Sequence, residues 1–188
     1  EISPMPVREA VNRLVADEAL GVLPQSAVIV PIMTRERFAE LRMMRVALEG
    51  VATAVAAVDR TPAELRRILA AHDRLVRLAN PTRRGESAVT RCNQRLHFAI
   101  YAAAHMPSLL KVITGFWLRV GPVLNLDLRT SPERLRNLAA RSHHRRLVES
   151  IVKGDAVAAR SALVDDIEIA AEHILSRHIL PSEKERRK

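Results

Sequence analysis

Four polar side chains have types and spacings that suit a divalent metal ion. Asn93 and His97 are four residues apart in a helical apolar pattern, so one helix presents both from the same face. His144 and Asp166 fall at core-facing positions further along the chain. Imidazole and carboxylate ligands suit zinc, nickel or manganese, whereas the neutral amide oxygen of Asn93 is a weaker donor. We predict a site for a divalent metal, zinc first, on these four residues; the alternative is a set of hydrogen-bonded core histidines.

The stretch from Ser142 to Asp166 predicts two antiparallel helices, and this hairpin brings His144 to Asp166. Gly154 supplies the backbone freedom that ends the first helix, and Asp155 is a good N-cap for the second. His144 and Asp166 each lie eleven residues from Asp155. At roughly 1.5 Å rise per residue, both sit about 16 Å from the turn. We expect the two side chains to reach a common atom.

Two further histidines are alternative ligands. His173 lies seven residues after Asp166 on the same helical face, and His143 directly precedes His144. We expect ordinary hydrogen-bonding roles for both His143 and His173.

Helix signals recur through most of the chain. We predict a helix capped by Thr34 that runs to about Val58, and a helix with a Thr61/Glu64 capping box that runs to about Leu78. A loop is predicted at Asn80–Gly85, followed by a helix through His97 to Ala104. A further helix is predicted from Pro107, and Gly121-Pro122 interrupts or kinks it. The first arm of the hairpin starts at Ser131-Pro132, and the second ends before Pro181. The final residues, SEKERRK, are expected to form a frayed, solvated tail. This pattern predicts an all-α fold, an antiparallel helical bundle.

Composition limits the classes of protein that fit. The chain has 188 residues, 48% hydrophobic and only 3% aromatic, which suits one main core of aliphatic residues on helices. A single cysteine, Cys92, excludes a disulfide framework and a thiolate zinc finger, and we expect it to be a buried, inert thiol. We find no apolar run of about 18 residues and no signal peptide, so we expect a soluble, cytoplasmic protein with no membrane partner. The formal net charge of +9 favours a polyanionic partner.

The first residues predict a helix followed by a small hairpin. The segment from Ser3 to Leu20 is amphipathic, with Arg8, Asn12 and Arg13 outward and a buried stripe of Val7, Ala10, Val11, Leu14 and Val15. Two short β-prone runs, Leu20–Leu23 and Ala27–Val30, flank Pro24-Gln25-Ser26. A helix followed by a hairpin is the second half of a winged helix-turn-helix.

This N-terminal segment resembles the end of the DNA-binding domain of GntR-family transcription regulators, whose recognition helix reads S-R-T-P-V-R-E-A-L-x-x-L before a winged hairpin. The matching residues are Ser3, Pro6, Val7, Arg8, Glu9, Ala10 and Leu14. The departures are Pro4 for a base-reading arginine, Met5 for a capping threonine, Glu18 for glycine, and Gln25 near the wing-tip glycine. The resemblance implies contact with a double-stranded DNA operator through Ser3, Arg8 and Asn12. Because the family has two further helices before the recognition helix, we expect the DNA-binding domain in this sequence to be incomplete.

From Leu41 to about Ser176 the chain resembles the FCD effector domain of the FadR-type branch of that family. The resemblance is carried by LRMMRVALEGVATAVAA, by NQRLHFAIYAAA against D-x-x-F-H-x-A-I, and by HRRLVESIVKGDAVAARSAL against H-R-x-I-x-x-A-I-x-x-G-D-x-x-A-A-R-x-A-M. Many members hold a divalent metal on one Asp and three His, beside a cavity for a small carboxylate effector. Carried over by position, the Asp ligand falls on Asn93 and the three His ligands fall on His97, His144 and Asp166.

The same resemblance implies a role for Arg45. This residue lies in an R-x-x-x-E pattern with Glu49 and matches an arginine that in such domains faces the cavity and clamps the effector carboxylate. The alternative is a surface ion pair between Arg45 and Glu49.

These observations predict a ligand-responsive transcription regulator and not an enzyme. We predict a partial winged helix at 1–33, an FCD-like helical effector domain at 34–180 and a basic tail at 181–188. A homodimer is expected because a two-fold reader matches a palindromic operator. The alternative function is a metal-dependent hydrolase that uses His97, His144 and Asp166 to activate water. That chemistry also needs a general base and transition-state donors, and no motif in the sequence supplies them.

Overall fold

The computed structural model describes residues 4–24, 27–78, 86–131 and 138–186. In chain order the described elements are α1 (Pro4–Ala16), β1 (Gly21–Val22), β2 (Val28–Ile29), α2 (Arg35–Asp59), α3 (Pro62–Arg77), α4 (Glu86–Ala102), α5 (Pro107–Thr130), α6 (Leu138–Lys153), α7 (Ala156–Ser176) and α8 (Glu183–Arg186). Within those ranges the regular structure is helical apart from one small hairpin, which confirms the predicted fold class. The predicted loop at Asn80–Gly85, the turn residues Gln25 and Ser26, and the predicted helix start at Pro132 lie outside the described residues.

Capping residues set where two of the helices begin. The Thr34 side chain accepts a hydrogen bond from the backbone N–H of Arg37 at 3.3 Å, and α2 starts at the next residue. Thr61 and Glu64 form both bonds of a capping box at the start of α3, where Pro62 takes the first position. Side-chain caps of this kind contribute about 1 kcal/mol each. Both predicted helix starts are confirmed, since each depends on residues within a single turn.

The turn between α6 and α7 has the predicted chemistry. Gly154 adopts a φ of +73°, in the left-handed region that glycine enters without steric strain. The Asp155 carboxylate accepts a hydrogen bond from the backbone N–H of Ala158 at 2.9 Å and so caps α7. The two helices then pack against each other along their length as antiparallel arms.

Aliphatic side chains fill a core shared by α2, α4, α5, α6 and α7. Helix α2 packs most extensively against α7, with alanines at the contact that let the two backbones approach closely. The fully buried aliphatic residues include Leu96, Ile100, Ile113, Leu147, Ile151 and Leu163. Each such side chain contributes roughly 1.5–3 kcal/mol relative to exposure. Cys92 is buried in this core, as predicted.

Helix α1 is shorter and less covered than the amphipathic pattern predicted. It ends at Ala16, and Glu18 follows in the left-handed region with a φ of 56°. Strands β1 and β2 then pair antiparallel, which confirms the predicted hairpin. In the stripe predicted to be buried, Val7 and Ala10 are exposed, whereas Val11, Leu14 and Val15 are half-buried. The prediction of a buried stripe is therefore wrong for Val7 and Ala10, and Val11, Leu14 and Val15 meet it only in part.

Helix α5 continues through Pro122, so an interruption at Gly121-Pro122 is wrong, whereas the alternative of a kink stays a prediction. A proline inside a helix costs about 3 kcal/mol. Here the apolar face of α5 is buried on both sides of the proline, by Phe116 and Val120 before it and by Val123 after it, which outweighs that cost.

The same helix contains the segment Pro107–Asp127, with a mean hydropathy of 1.3, which is long and apolar enough to cross a membrane by length and composition. The prediction that no such run exists overlooked it, because Thr, Gly, Pro and Asn interrupt the apolar residues. One helix of this kind is weak evidence for a membrane, since core helices of soluble proteins pass the same test.

The C-terminal residues dock on the start of α2. The backbone N–H of Arg35 donates to the carbonyl oxygen of Pro181 at 3.0 Å. The Thr34 hydroxyl donates to Oε1 of Glu183 at 2.9 Å, and the backbone N–H of Glu183 donates to Oε2 of Glu36 at 3.1 Å. The prediction of a frayed, solvated tail is therefore wrong up to residue 186, because these hydrogen bonds join parts of the chain that no local pattern connects. Residues 187 and 188 lie outside the described range.

Candidate functional site

Three side chains from three helices meet in the core. His97 on α4 places its Nε2 atom 3.4 Å from Oδ2 of Asp166 on α7. His144 on α6 places its Nε2 atom 3.5 Å from Oδ1 of the same carboxylate. One ligand-type atom from each residue lies within 4.8 Å of the other two. The structure thus brings together three of the four residues predicted to hold a metal.

The fourth residue, Asn93, lies one helical turn before His97 on α4 and is half-buried. It shares the face of α4 that carries His97. The alternative ligand His173 does not join this group, because its Nε2 atom lies 3.4 Å from Oδ1 of Asp127 and 3.4 Å from Oγ of Ser131. His143 is half-buried beside His144 on α6.

The ring of His97 is neutral at pH 7. Burial lowers the pKa of His97 to about 4, although the Asp166 carboxylate opposes this shift. The Nε2 atoms of His97 and His144 are both buried, and neither has a hydrogen-bond partner among the described residues. An unsatisfied buried polar atom costs about 1–3 kcal/mol. These two nitrogens therefore require a partner that the described part of the chain does not supply.

A divalent cation suits this arrangement of donors. A carboxylate and a neutral imidazole nitrogen both offer electron pairs, so a cation between them satisfies each atom. The nitrogen-to-oxygen distances of 3.4 and 3.5 Å compare with about 3.3 Å between neighbouring ligand atoms of a tetrahedral zinc site with bonds of about 2.0 Å. Two imidazoles and one carboxylate suit zinc, and also nickel or manganese.

Arg45 is buried against Glu49, and the predicted alternative of a surface pair is wrong. The guanidinium donates from Nε to Oε1 of Glu49 at 2.7 Å and from Nη2 to Oε2 at 3.3 Å. Burial by itself would lower the pKa of Arg45, but the Glu49 carboxylate outweighs this and raises it. The guanidinium carbon also lies 5.1 Å from the centroid of the Trp117 ring. That ring lies 5.4 Å from the ring of His97 and 5.5 Å from the ring of Phe98, between centroids.

One buried residue that the sequence reasoning did not assign, Tyr101, connects this ion pair to the cluster of His97, His144 and Asp166. The Tyr101 hydroxyl donates to Oε2 of Glu49 at 2.5 Å, and its oxygen lies 3.0 Å from Nδ1 of His97. Burial raises the pKa of Tyr101 well above its usual range, so the hydroxyl keeps its proton. Tyr101 follows His97 by four residues on the same helical face, and that spacing was the available signal.

A small cavity lies between α2, α5 and α7, on the side of Arg45. Its lining combines two arginines with apolar side chains: Arg42, Arg45, Phe38, Val120, Leu124 and Ile167. Arg42 also pairs with Glu168, with Nη1 3.1 Å from Oε2. The cavity is therefore lined by arginine side chains together with aliphatic and aromatic ones.

A second polar cluster lies near the C-terminal end of α5. Asp127 is fully buried, and its Oδ1 atom lies 3.4 Å from Nε2 of His173 and 3.6 Å from Nη1 of Arg177. Ser131 completes a Ser, His and Asp set, but the same ring nitrogen of His173 faces both Ser131 and Asp127. A proton relay needs the two different nitrogens of the ring. This cluster therefore does not make the nucleophile that a hydrolase would use.

The residues predicted to read DNA lie on the exposed side of α1. Arg8 and Asn12 are exposed, and Ser3 lies outside the described residues. Just beyond α1, the Glu18 carboxylate accepts hydrogen bonds from Arg37 of α2 and from Arg119 of α5, the latter at 3.1 Å. The segment that follows α1 is therefore tied to α2 and α5 through one carboxylate shared by two arginines.

A family model of the FCD domain matches residues 40–169. The matched range contains His97, His144 and Asp166, together with the Arg45 and Glu49 pair. The chain belongs to the FCD domain family. The match lies inside the range 34–180 that was predicted to be the effector domain.

Individual relatives agree with this assignment. The HTH-type transcriptional regulator McbR of Escherichia coli (strain K12) is 34% identical over 121 residues, which is 64% of this chain and 53% of McbR. The chain thus spans about half the length of this curated relative. The solved structure of E. coli McbR/YncC matches with a TM-score of 0.76 at 25% identity and covers 95% of this chain and 88% of that chain.

A GntR-family transcriptional regulator from Pseudomonas syringae pv. tomato str. DC3000 matches with a TM-score of 0.60, over 94% of this chain and 71% of that chain. At 19% identity this likeness shows the fold alone. Together the family match and McbR agree with the predicted FCD domain of the GntR-family type. Nothing in them favours the hydrolase alternative.

Proposed function

We propose that this chain forms the effector domain and part of the DNA reader of a ligand-responsive transcription regulator, with a divalent metal, zinc first, held by His97, His144 and Asp166. Asn93 is the proposed fourth ligand. The observation that carries this proposal is the pair of buried Nε2 atoms that face the two oxygens of one carboxylate at 3.4 and 3.5 Å. FCD membership supports the regulatory role.

The proposed effector is a small carboxylate with an apolar body. A bound zinc ion held by His97, His144 and Asp166 would accept a carboxylate oxygen in place of the weak amide donor of Asn93, or as a fifth ligand. Arg45, the proposed effector-binding residue, already donates Nε and Nη2 to Glu49, so we assign the Nη1 edge of its guanidinium to the effector. The adjacent cavity is lined by Phe38 and Val120 but has a volume of only about 10 Å³. It holds about one water molecule, so these side chains would have to move apart to contact the apolar part of the effector.

The contact at Glu18 is the proposed route from the cavity to the DNA reader. Helix α5 carries Trp117, which packs against His97, and two residues later Arg119, which binds Glu18. An effector that shifts α5 would change how α1 is held against the bundle. Regulation requires that the effector binds one placement of the reader more tightly than the other, because a ligand without such a preference shifts nothing.

The proposed partners follow from this role. A double-stranded DNA operator would be bound by Arg8 and Asn12 on the exposed face of α1, together with Ser3, and a homodimer would match a palindromic operator. The exposed Val7 on α1 is the kind of apolar surface that the other helices of a complete winged helix would cover. The cytoplasm is the proposed location.

The test combines metal analysis with DNA binding. Metal content is measured for the purified chain, and operator affinity is measured by gel shift for a chain extended to carry a whole winged helix. We expect about one zinc per chain, and an operator complex that a small apolar carboxylate weakens or strengthens only when the metal is present. A metal-free protein that binds operator DNA and responds to carboxylates equally well with and without chelator would contradict the metal part. Failure to select any DNA sequence would contradict the DNA-binding part.

A further inference from the structure

A buried chain of hydrogen bonds runs from α2 to the candidate metal centre, and its members are Arg45, Glu49, Tyr101 and His97. The distances along it are 2.7 and 3.3 Å between Arg45 and Glu49, 2.5 Å between Glu49 and Tyr101, and 3.0 Å between Tyr101 and His97. We propose that Tyr101 and Glu49 are positioning residues that hold His97 in one tautomer, with the proton on Nδ1 and the lone pair of Nε2 directed at Asp166. The inference about metal affinity rests on the proposed metal site, whereas the tautomer itself does not.

The direction of each hydrogen bond follows from the Arg45 end. A guanidinium only donates, and an ionised carboxylate only accepts. Since Arg45 donates twice to Glu49, the Glu49 carboxylate is ionised and the short contact to Tyr101 must be filled by the hydroxyl proton. A tyrosine hydroxyl has a single proton, so towards His97 the Tyr101 oxygen acts as the acceptor. Nδ1 of His97 must then carry a proton, so a ring with a single proton carries it on Nδ1.

The consequence for His97 is that Nε2 has no proton. This nitrogen is the atom that lies 3.4 Å from Oδ2 of Asp166. Two acceptors at this distance repel each other unless a cation lies between them. The relay thus prepares His97 as a ligand, because a metal binds the unprotonated nitrogen and the other ring nitrogen sets which one that is.

The burial of the Arg45 and Glu49 pair points to a role of this kind. Glu49 is 0% exposed and Arg45 is 6% exposed. Taking both charges out of water is costly, and well-packed apolar residues at such positions are often as stable or more stable. A buried ion pair is therefore weak evidence for stability. Here the ion pair makes both oxygens of Glu49 hydrogen-bond acceptors, and this fixes the orientation of the Tyr101 hydroxyl.

The deciding measurement is the tautomer of His97 in the metal-free protein. Long-range proton–nitrogen NMR correlations distinguish the two ring nitrogens, and the His97 signals are assigned by their loss in a His97→Asn variant. We expect a protonated Nδ1 and an unprotonated Nε2 in the unmodified chain. A proton on Nε2 would overturn the relay, and this result needs no variant to fold.

Tyr101→Phe tests the relay directly, since it removes the hydroxyl and keeps the ring that packs against His97 and Phe98. We expect the Nδ1 tautomer to lose its dominance, and zinc affinity, measured by competition with a chromogenic chelator, to fall by about 10- to 100-fold. Thr114→Val is the matched control, because it removes a half-buried hydroxyl that donates to the carbonyl oxygen of Leu110 on α5, away from the relay. Thr114→Val should change neither the tautomer of His97 nor the zinc affinity.

The outcomes separate this inference from the metal proposal. An unchanged tautomer and unchanged zinc affinity in Tyr101→Phe would overturn the role of Tyr101. The expected tautomer in a chain that binds no zinc would instead support the relay and contradict the proposed metal site. Glu49→Gln supplies an independent check, because a neutral amide no longer requires the Tyr101 proton, and the Nδ1 preference should weaken there as well.

Discussion

His144 and Asp166 face each other across the α6–α7 hairpin, with Nε2 of the histidine 3.5 Å from Oδ1 of the carboxylate. Each lies eleven residues from Asp155, so equal helical rise on the two arms brings them to one level. His97 approaches from α4 and faces the other oxygen of the same carboxylate. Asp166 thus stands between two imidazoles, and the loss of any one of the three changes the surroundings of the other two.

Removal of His144 should weaken metal binding and stability together. In His144→Ala one donor is lost and Asp166 retains a single imidazole neighbour. At free zinc one hundred times its Kd, a bound ion adds roughly 2.7 kcal/mol to the free energy of unfolding, and we expect most of this to disappear. Zinc stoichiometry and melting temperature, each with and without chelator, measure the effect.

His173→Ala is the matched control for that experiment. It also removes an imidazole, but one on α7 that faces Asp127, so stability should fall while zinc content stays the same. Equal zinc content in the parent chain and in His144→Ala would remove His144 from the ligand set.

A carboxylate in place of Asn93 should bind the metal more tightly. Asn93→Asp introduces a charged oxygen one turn before His97, where the neutral amide is a weak donor. We expect zinc affinity to rise about tenfold, which corresponds to about 1.4 kcal/mol. The control is Asn125→Asp, an equal change at an exposed position of α5. If neither the parent nor Asn93→Asp binds any metal, the cluster is a polar core network and the metal proposal falls.

Arg8 should contribute to sequence-specific DNA binding. In a chain extended to carry a whole winged helix, Arg8→Ala should weaken operator binding by about 1–3 kcal/mol if its guanidinium contacts a guanine edge. Gel shifts against specific and unrelated DNA at one salt concentration measure this. Arg67→Ala, which removes an exposed arginine from α3, controls for net charge. An unchanged operator affinity in Arg8→Ala would exclude Arg8 as a reader.

The Glu18 contact should hold α1 against the bundle through charge. In Glu18→Gln the carboxylate that Arg37 and Arg119 share becomes a weakly accepting amide. Because these side chains are partly exposed, the free energy of unfolding should change by less than about 1 kcal/mol, and less still at high salt. Hydrogen exchange in α1 and in the β1–β2 hairpin should nevertheless become faster. The control is Glu9→Gln, at an exposed position within α1, which should leave the exchange unchanged. Equal exchange rates in Glu18→Gln and Glu9→Gln would argue against the Glu18 contact as a coupling route.

Much of the helical framework and the opposition of His144 and Asp166 were predictable from the sequence. The Thr61/Glu64 capping box and the Gly154-Asp155 turn each depend on atoms within a few residues. Helical rise then converts sequence spacing into position, so equal distances from Asp155 imply one level along the hairpin. The motifs of the FCD domain could also be recognised in the sequence, because each is a local pattern of residue types.

Only the tertiary structure decided what these elements pack against. It placed Glu49 beside Tyr101, 52 residues later, and so turned an apparent surface pair into a buried relay. It directed His173 to Asp127 instead of Asp166, and it joined Thr34 to Glu183 across 149 residues. Local spacing fixes which face of a helix a residue occupies, but the partner of that face depends on how the helices pack, and packing is determined by the fit of many distant side chains at once.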